Sequence, residues 1–226
     1  MEEYDLSIII PVLNSHEVVK RQMLYWNTLD LCCCEIILVD DGSTPPILPY
    51  FDSKYELTVI YTNDPRPWSQ PCARNRGAEI SRSEMLLMTD IDHIISQEQI
   101  NAGKAFNGDK MIFPRQWAVL DTAGGLHQEK EVLLQYGLDP KLYEQRGLSG
   151  GSHANTFCMQ KSIFDELGGY DESFCGKYGG DDTDFNDRYG RLHRQGLVAR
   201  HVVGPRMFVF PDPRRDAQNL FHSLRG

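Results

Sequence analysis

Four short apolar runs, each closed by acidic or turn-forming residues, govern what this chain can fold into: LSIIIPV (6–12), EIILVDD (35–41), LTVIYTND (57–64) and EMLLMTDID (84–92). Runs of this length and branched-aliphatic content are strands buried on both faces, as in a parallel sheet. Between them lie SHEVVKRQMLYWNTL and PCARNRGAEISRS, with helical spacing and capping residues. Strands alternating with helices predict an α/β fold, a mostly parallel sheet flanked by helices. With 226 residues, 41% of them apolar, the chain has enough material for one domain over 1–226. Its first half, 1–108, carries the regular alternation; in the second, 109–226, the pattern loosens. There KMIFPRQWAVL reads as two short strands, NTFCMQKSIFDELGGYDE as strand, helix and turn, and RMFVFPD as a late strand. The Gly-punctuated stretch 121–151 between them reads as a loop with a helical piece, of the kind that covers a substrate.

Open α/β sheets bind ligands outside the carboxyl ends of their strands. Two of the runs end in acids, Asp40–Asp41 and Asp90-x-Asp92, so two acidic strand ends are expected at one crevice. Asp40-Asp41-Gly42-Ser43 also reads as a capped turn. Asp90 and Asp92, one residue apart at a strand exit, can hold a cation together, and carboxylate with diphosphate oxygens suits Mg²⁺ or Mn²⁺ rather than Zn²⁺.

A second cluster, YGGDDTDFNDR (178–188), places four aspartates in eleven residues. If a helix starts at Asp181 or Asp182, then Phe185, Tyr189 and Leu192 form one apolar stripe directed at the sheet. Asp184 and Asp187 then each meet an arginine four residues on, Arg188 and Arg191. Asp181 and Asp182 overhang the crevice at the helix N-terminus, where the dipole favours negative charge and a carboxylate can serve as general base.

The net charge of −9 weighs against sequence-independent binding of duplex DNA, although a modified nucleobase stays open as an acceptor. Arg200, Arg206, Arg214, Arg215 and Arg225 gather at the C-terminal end, either as a solvated tail or as a surface for lipid headgroups and peripheral membrane contact. Six cysteines without paired C-x-x-C spacing read as reduced thiols of a cytoplasmic protein, and the N-terminal apolar run is too short for a signal peptide or a membrane span. The acidic motifs fit neither an EF-hand, whose glycine and terminal glutamate are replaced by Asp187 and His193, nor a G-x-G-x-x-G dinucleotide site. A phosphatase-type D-x-D at Asp90 leaves the second cluster unexplained.

Taken together, SIIIPVLN, EIILVDDGST, CARNRGAEISRSEMLLMTDIDH and YGGDDTDFNDR resemble, in order and spacing, the motifs of GT-A glycosyltransferases of the family 2 type. The segment TFCMQKSIFDELGGYDESFCGKYGGDDTDF is also similar to the C-terminal part of β-1,4-galactosyltransferases and polypeptide N-acetylgalactosaminyltransferases. The resemblance implies a metal-dependent transferase moving a sugar from a UDP-sugar to the hydroxyl of a glycan, lipid-linked or other acceptor. By it, Pro11, Leu13, Asp40, Asp41 and Arg74 hold the nucleotide, and Asp90 lies against ribose or sugar. Asp92 binds Mn²⁺ or Mg²⁺ with Asp90. Gly150 and Gly151 bring backbone near the donor sugar. Asp182 is the base, implying inversion, with Asp181 standing where most members have glutamate. The family often adds a histidine ligand from a late strand or the tail, for which His201 and His222 are the candidates. His93, directly after the D-x-D, either faces the crevice or points behind its strand. A retaining transferase and a non-catalytic nucleotide-sugar-binding module are the alternatives.

Overall fold

The structure is a computed structural model that describes residues 4–48, 53–139 and 151–209. Its strands are β1 (Leu6–Val12), β2 (Cys34–Asp40), β3 (Glu56–Tyr61), β4 (Met85–Met88), β5 (His93–Ile94), β6 (Lys110–Trp117), β7 (Val119–Leu120), β8 (Leu126–His127), β9 (Ser152–Gln160), β10 (Val202–Val203) and β11 (Met207–Val209). Its helices are α1 (His16–Trp26), α2 (Gln70–Ile80), α3 (Gln97–Ala105), α4 (Lys130–Gln135), α5 (Lys161–Glu166) and α6 (Asp181–Arg194). The main sheet runs β3-β2-β1-β4-β9-β6-β11-β5, with β10 on β6. β1 to β4 pair in parallel, β9 runs antiparallel between β4 and β6, and β11 lies parallel to β6 and antiparallel to β5. The expected α/β architecture is present, with β9 and β5 as its antiparallel members.

Alternation along β1 decides which helix covers which face. Ile8 and Ile10 join the core beneath α1 and α3, with Val18, Met23, Trp26 and Ile100. Ile9 points the other way, to Ala73 and Ala78 of α2 and Phe185 and Tyr189 of α6. Both faces are filled, so every residue of β1 and β2 is buried. The stripe expected on the acidic helix packs on this second face, with Phe185 stacked between Phe157 and Tyr170 at 5.4 and 4.4 Å. Of the two expected ion pairs on that helix, Asp184–Arg188 forms, Nε to Oδ2 2.7 Å, and Asp187–Arg191 does not. KMIFPRQWAVL makes one eight-residue strand followed by a two-residue one. α3 was not expected, although its N-terminus carries a full capping box between Ser96 and Gln99. No helix among the described residues is long and apolar enough to cross a membrane.

Gly77 sets the distance between α2 and the sheet. A Cβ there would lie 2.4 Å from Cγ2 of Ile9 and 3.2 Å from Cγ2 of Val39. Alanine improves helix propensity by about 1 kcal/mol, but overpacking a closed core against branched strand residues costs about 1–3 kcal/mol. Gly77→Ala is therefore expected to lower stability, read as an earlier urea midpoint; a later midpoint would show that α2 can lift off the sheet freely.

Lys110, at the opposite end of β6 from Trp117, is only 3% exposed. Its Nζ donates to Asn186 Oδ1 at 2.6 Å and lies 4.6 Å from the ring centre of Phe157 and 4.8 Å from that of Tyr189. Burial pushes its pKa down from 10.5 to about 8. The unfolded chain thus holds this proton between pH 8 and 10.5 when the folded chain has released it, so stability rises with pH across that window. Urea titrations at several pH values should show this rise, up to about 1.4 kcal/mol per unit of pKa difference, and its loss in Lys110→Met. Equal slopes in both proteins would refute it.

Candidate functional site

β1, β2 and β4 run in parallel, so their exits lie along one edge of the sheet. Pro11 sits within β1 opposite Val39, and Leu13 follows the strand, its carbonyl accepting from Ser15 Oγ at 2.9 Å. At the β2 exit the capped turn is built: Asp40 Oδ1 accepts from Ser43 N and Oδ2 from Ile47 N, both at 2.8 Å. Asp41 Oδ2 accepts from Ser69 N at 2.8 Å, which ties this turn to the start of α2. Burial pushes the Asp41 carboxyl up to about 6.

Arg74 joins the two acidic motifs. It projects from the first half of α2, is 1% exposed, and ion-pairs through Nη2 with Asp90 Oδ1. Nη1 donates to Gln70 Oε1 at 3.0 Å, and the guanidinium carbon stands 5.3 Å from the ring centre of Tyr170. Asp90 and Asp181 are both within its electrostatic reach, and Asp181 and Asp182 both act on Tyr170. The D-x-D exit and the N-terminus of α6 therefore meet around one buried cation.

α6 begins where Gly179 and Gly180 take left-handed φ of 86° and 93°, a turn that glycine makes without strain. Asp181, 5% exposed, has its pKa raised by burial. Asp182 is half-buried; its Oδ1 accepts from Thr183 N at 2.8 Å. Of the two, Asp182 is the more exposed.

Three potential metal ligands converge below them: Asp90, His93 and His153 each offer an atom, all within 4.8 Å of one another. Asp90 Oδ1 is taken by Arg74, while Oδ2 lies 3.4 Å from His153 Nδ1. His93, of the two orientations open to it, faces this cluster. Its Nδ1 lies 2.5 Å from Thr156 Oγ1, and donation there leaves Nε2 with a lone pair for a metal. Burial holds the His93 pKa down at about 4, so the imidazole is neutral and ligates without first losing a proton. One carboxylate and two imidazoles fit a divalent ion.

His153 escaped the sequence reading. Its only sequence signal was its place just after Gly150 and Gly151, and its position depends on β9 pairing with β4 and β6. Asp92 is half-buried one residue before His93 and is not a member of the three-residue group. His201 is exposed just before β10, near Lys110 and His193, and is not a member either. Gly151 is exposed, its carbonyl accepting from Arg115; Gly150 and His222 lie outside the described residues.

Residues 7–113, just under half the chain, match the family model described as "Glycosyltransferase like family 2". No curated protein sequence matches significantly. Among solved structures, S. aureus TarS 1-349 in complex with UDP-GlcNAc superposes with a TM-score of 0.61 at 18% identity, covering 91% of this chain and 58% of that one. The mannosyltransferase PcManGT from Pyrobaculum calidifontis, in complex with GDP-Man and Mn²⁺, gives 0.58 at 13% identity, covering 99% and 60%. The chain thus spans about three-fifths of the length of these structures.

His153→Ala is expected to weaken Mn²⁺ binding at least about tenfold, followed by the electron paramagnetic resonance of free Mn²⁺, while His201→Ala leaves it unchanged. Loss only in His201→Ala would return the third ligand to the late strand.

Proposed function

We propose, on the premise that this chain is a GT-A domain of the family 2-like glycosyltransferases, that it moves a sugar from a UDP-sugar to an acceptor hydroxyl with inversion at the sugar carbon. The observation that carries the reading is the Arg74 bridge, which puts the strand-end carboxylate Asp90 and the helix-start carboxylates Asp181 and Asp182 around one cleft.

Asp90, His93 and His153 would hold a divalent cation, which would supply Lewis-acid neutralisation of charge on the diphosphate. Arg74 keeps Asp90 aimed, and Asp90 Oδ2 faces His153. Asp182 takes the proton of the acceptor hydroxyl. Its Oδ1 is oriented by Thr183, and its half-exposed position leaves a carboxylate oxygen for the acceptor. Asp181, buried beside Arg74, shapes the wall beneath it. Asp40 and Asp41 serve the nucleotide indirectly, by fixing the turn after β2.

Asp182→Asn keeps the shape of the side chain and removes the base. UDP affinity should stay within about threefold, under 1 kcal/mol, while turnover falls roughly 10²- to 10⁴-fold. Binding calorimetry with Mn²⁺ and UDP-release assays over a donor panel separate the two quantities, and NMR of the product's anomeric proton reads inversion. If binding and turnover fall together, Asp182 holds the fold or the metal rather than the proton.

A further inference from the structure

Arg115 has no role in the mechanism above, yet its setting is costly. It lies toward the carboxyl end of β6, half-buried, and its backbone N–H and Nε both donate to the carbonyl of Gly151, at 3.1 and 3.0 Å. Gly151 lies two residues before His153, and Arg115 acts electrostatically on His93. No carboxylate among the described residues pairs with it, and its surroundings disfavour its charge. Arg74, the other guanidinium at this centre, is held by Asp90, Gln70 and the ring of Tyr170. A partly desolvated guanidinium cannot lower its cost by deprotonating. An anion beside it offsets that cost.

We propose that Arg115 binds the diphosphate of the nucleotide donor, opposite the ligands Asp90, His93 and His153; this rests on the reading of the cleft as a nucleotide-sugar site. With Nε tied to Gly151, the two terminal nitrogens are oriented as a fork, the arrangement that receives two phosphate oxygens. The charges agree with that assignment. Arg74 is spent on the cleft's own acids, so the bound cation and Arg115 are what remain to meet the diphosphate. In the transfer, the bond from the sugar carbon to the β-phosphate oxygen breaks and its electron pair stays on that oxygen. The acceptor oxygen bonds the same carbon, and its proton goes to Asp182. The diphosphate thereby gains one negative charge, so Arg115 holds the departing nucleotide more strongly than the intact donor.

Calorimetry of the 226-residue chain with Mn²⁺ and UDP, with GDP in parallel, and with uridine as a phosphate-free probe tests this. Arg115→Gln should bind UDP about tenfold or more weakly, with uridine affinity unchanged; Arg115→Lys should recover part of the loss. The melting temperature of nucleotide-free Arg115→Gln should equal or exceed that of the wild type, because a half-buried charge with no carboxylate partner among the described residues has been removed. UDP affinity within about twofold of wild type, or equal losses for UDP and uridine, would overturn the role of Arg115 while leaving the cleft assignment standing. Failure of the wild type to bind either nucleoside diphosphate would instead overturn the cleft assignment itself.

Discussion

The buried pair between Arg74 and Asp90 is the constraint on which the rest of the cleft depends. A guanidinium 1% exposed has lost its water, and its ion pair, its bond to Gln70 and the ring of Tyr170 are what replace it. Removing one partner from such a group leaves an uncompensated charge at a cost of about 3–5 kcal/mol. That cost sets geometry. Three segments distant in sequence, the first turns of α2, the exit of β4 and the turn before α6, must each present a group to the same point. Any folded arrangement that misplaces one of them strands the cation.

Two glycine positions let them meet. Without a side chain at Gly77, α2 approaches β1 and β2 closely enough for Arg74 to lie under the strand exits. Left-handed backbone at Gly179 and Gly180 turns the chain so that Asp181 enters α6 facing inward. The four neighbouring aspartates then stop competing. Asp181 faces Arg74, Asp184 pairs with Arg188, Asp187 is in solvent, and Asp182 stands at a helix N-terminus whose unpaired N–H groups favour its charge. What repels in the sequence is divided by the helix among four different surroundings.

How legible each part was follows from the range of the interaction that builds it. β1 and β2 declare themselves because burial on both faces needs unbroken apolar runs, and the stripe of Phe185, Tyr189 and Leu192 because one helix face needs only local spacing. α3 was missed although Ser96 and Gln99 spell its cap: with Ile100 and Gly103 as its buried contacts, QEQINAGKA has almost no apolar stripe. Asp40 was readable as the cap of its own turn, which Ser43 N completes, but the bonds from Ile47 to Asp40 and from Ser69 to Asp41 were not, because those donors come from later segments. His153 lay furthest out of reach. It arrives on an antiparallel strand inserted between β4 and β6, with a register shift between Ile112 and Pro114, and no local pattern encodes that pairing.

The same long-range packing bears on how an acidic chain would hold the diphosphate proposed above. Net charge sets the field far from the surface, whereas in a cleft walled by protein the nearest few groups dominate. Of the acids at the strand exits, Asp90 is paired with Arg74, and Asp41 accepts from the backbone N–H of Ser69. His93 adds no charge, since burial keeps it neutral. Asp90 and Asp41 are therefore already satisfied and His93 is uncharged, so a cation and a diphosphate would enter together as a nearly neutral unit. Much of the electrostatic cost of that arrangement is met during folding, by a sheet filled on both faces, rather than at the moment of binding.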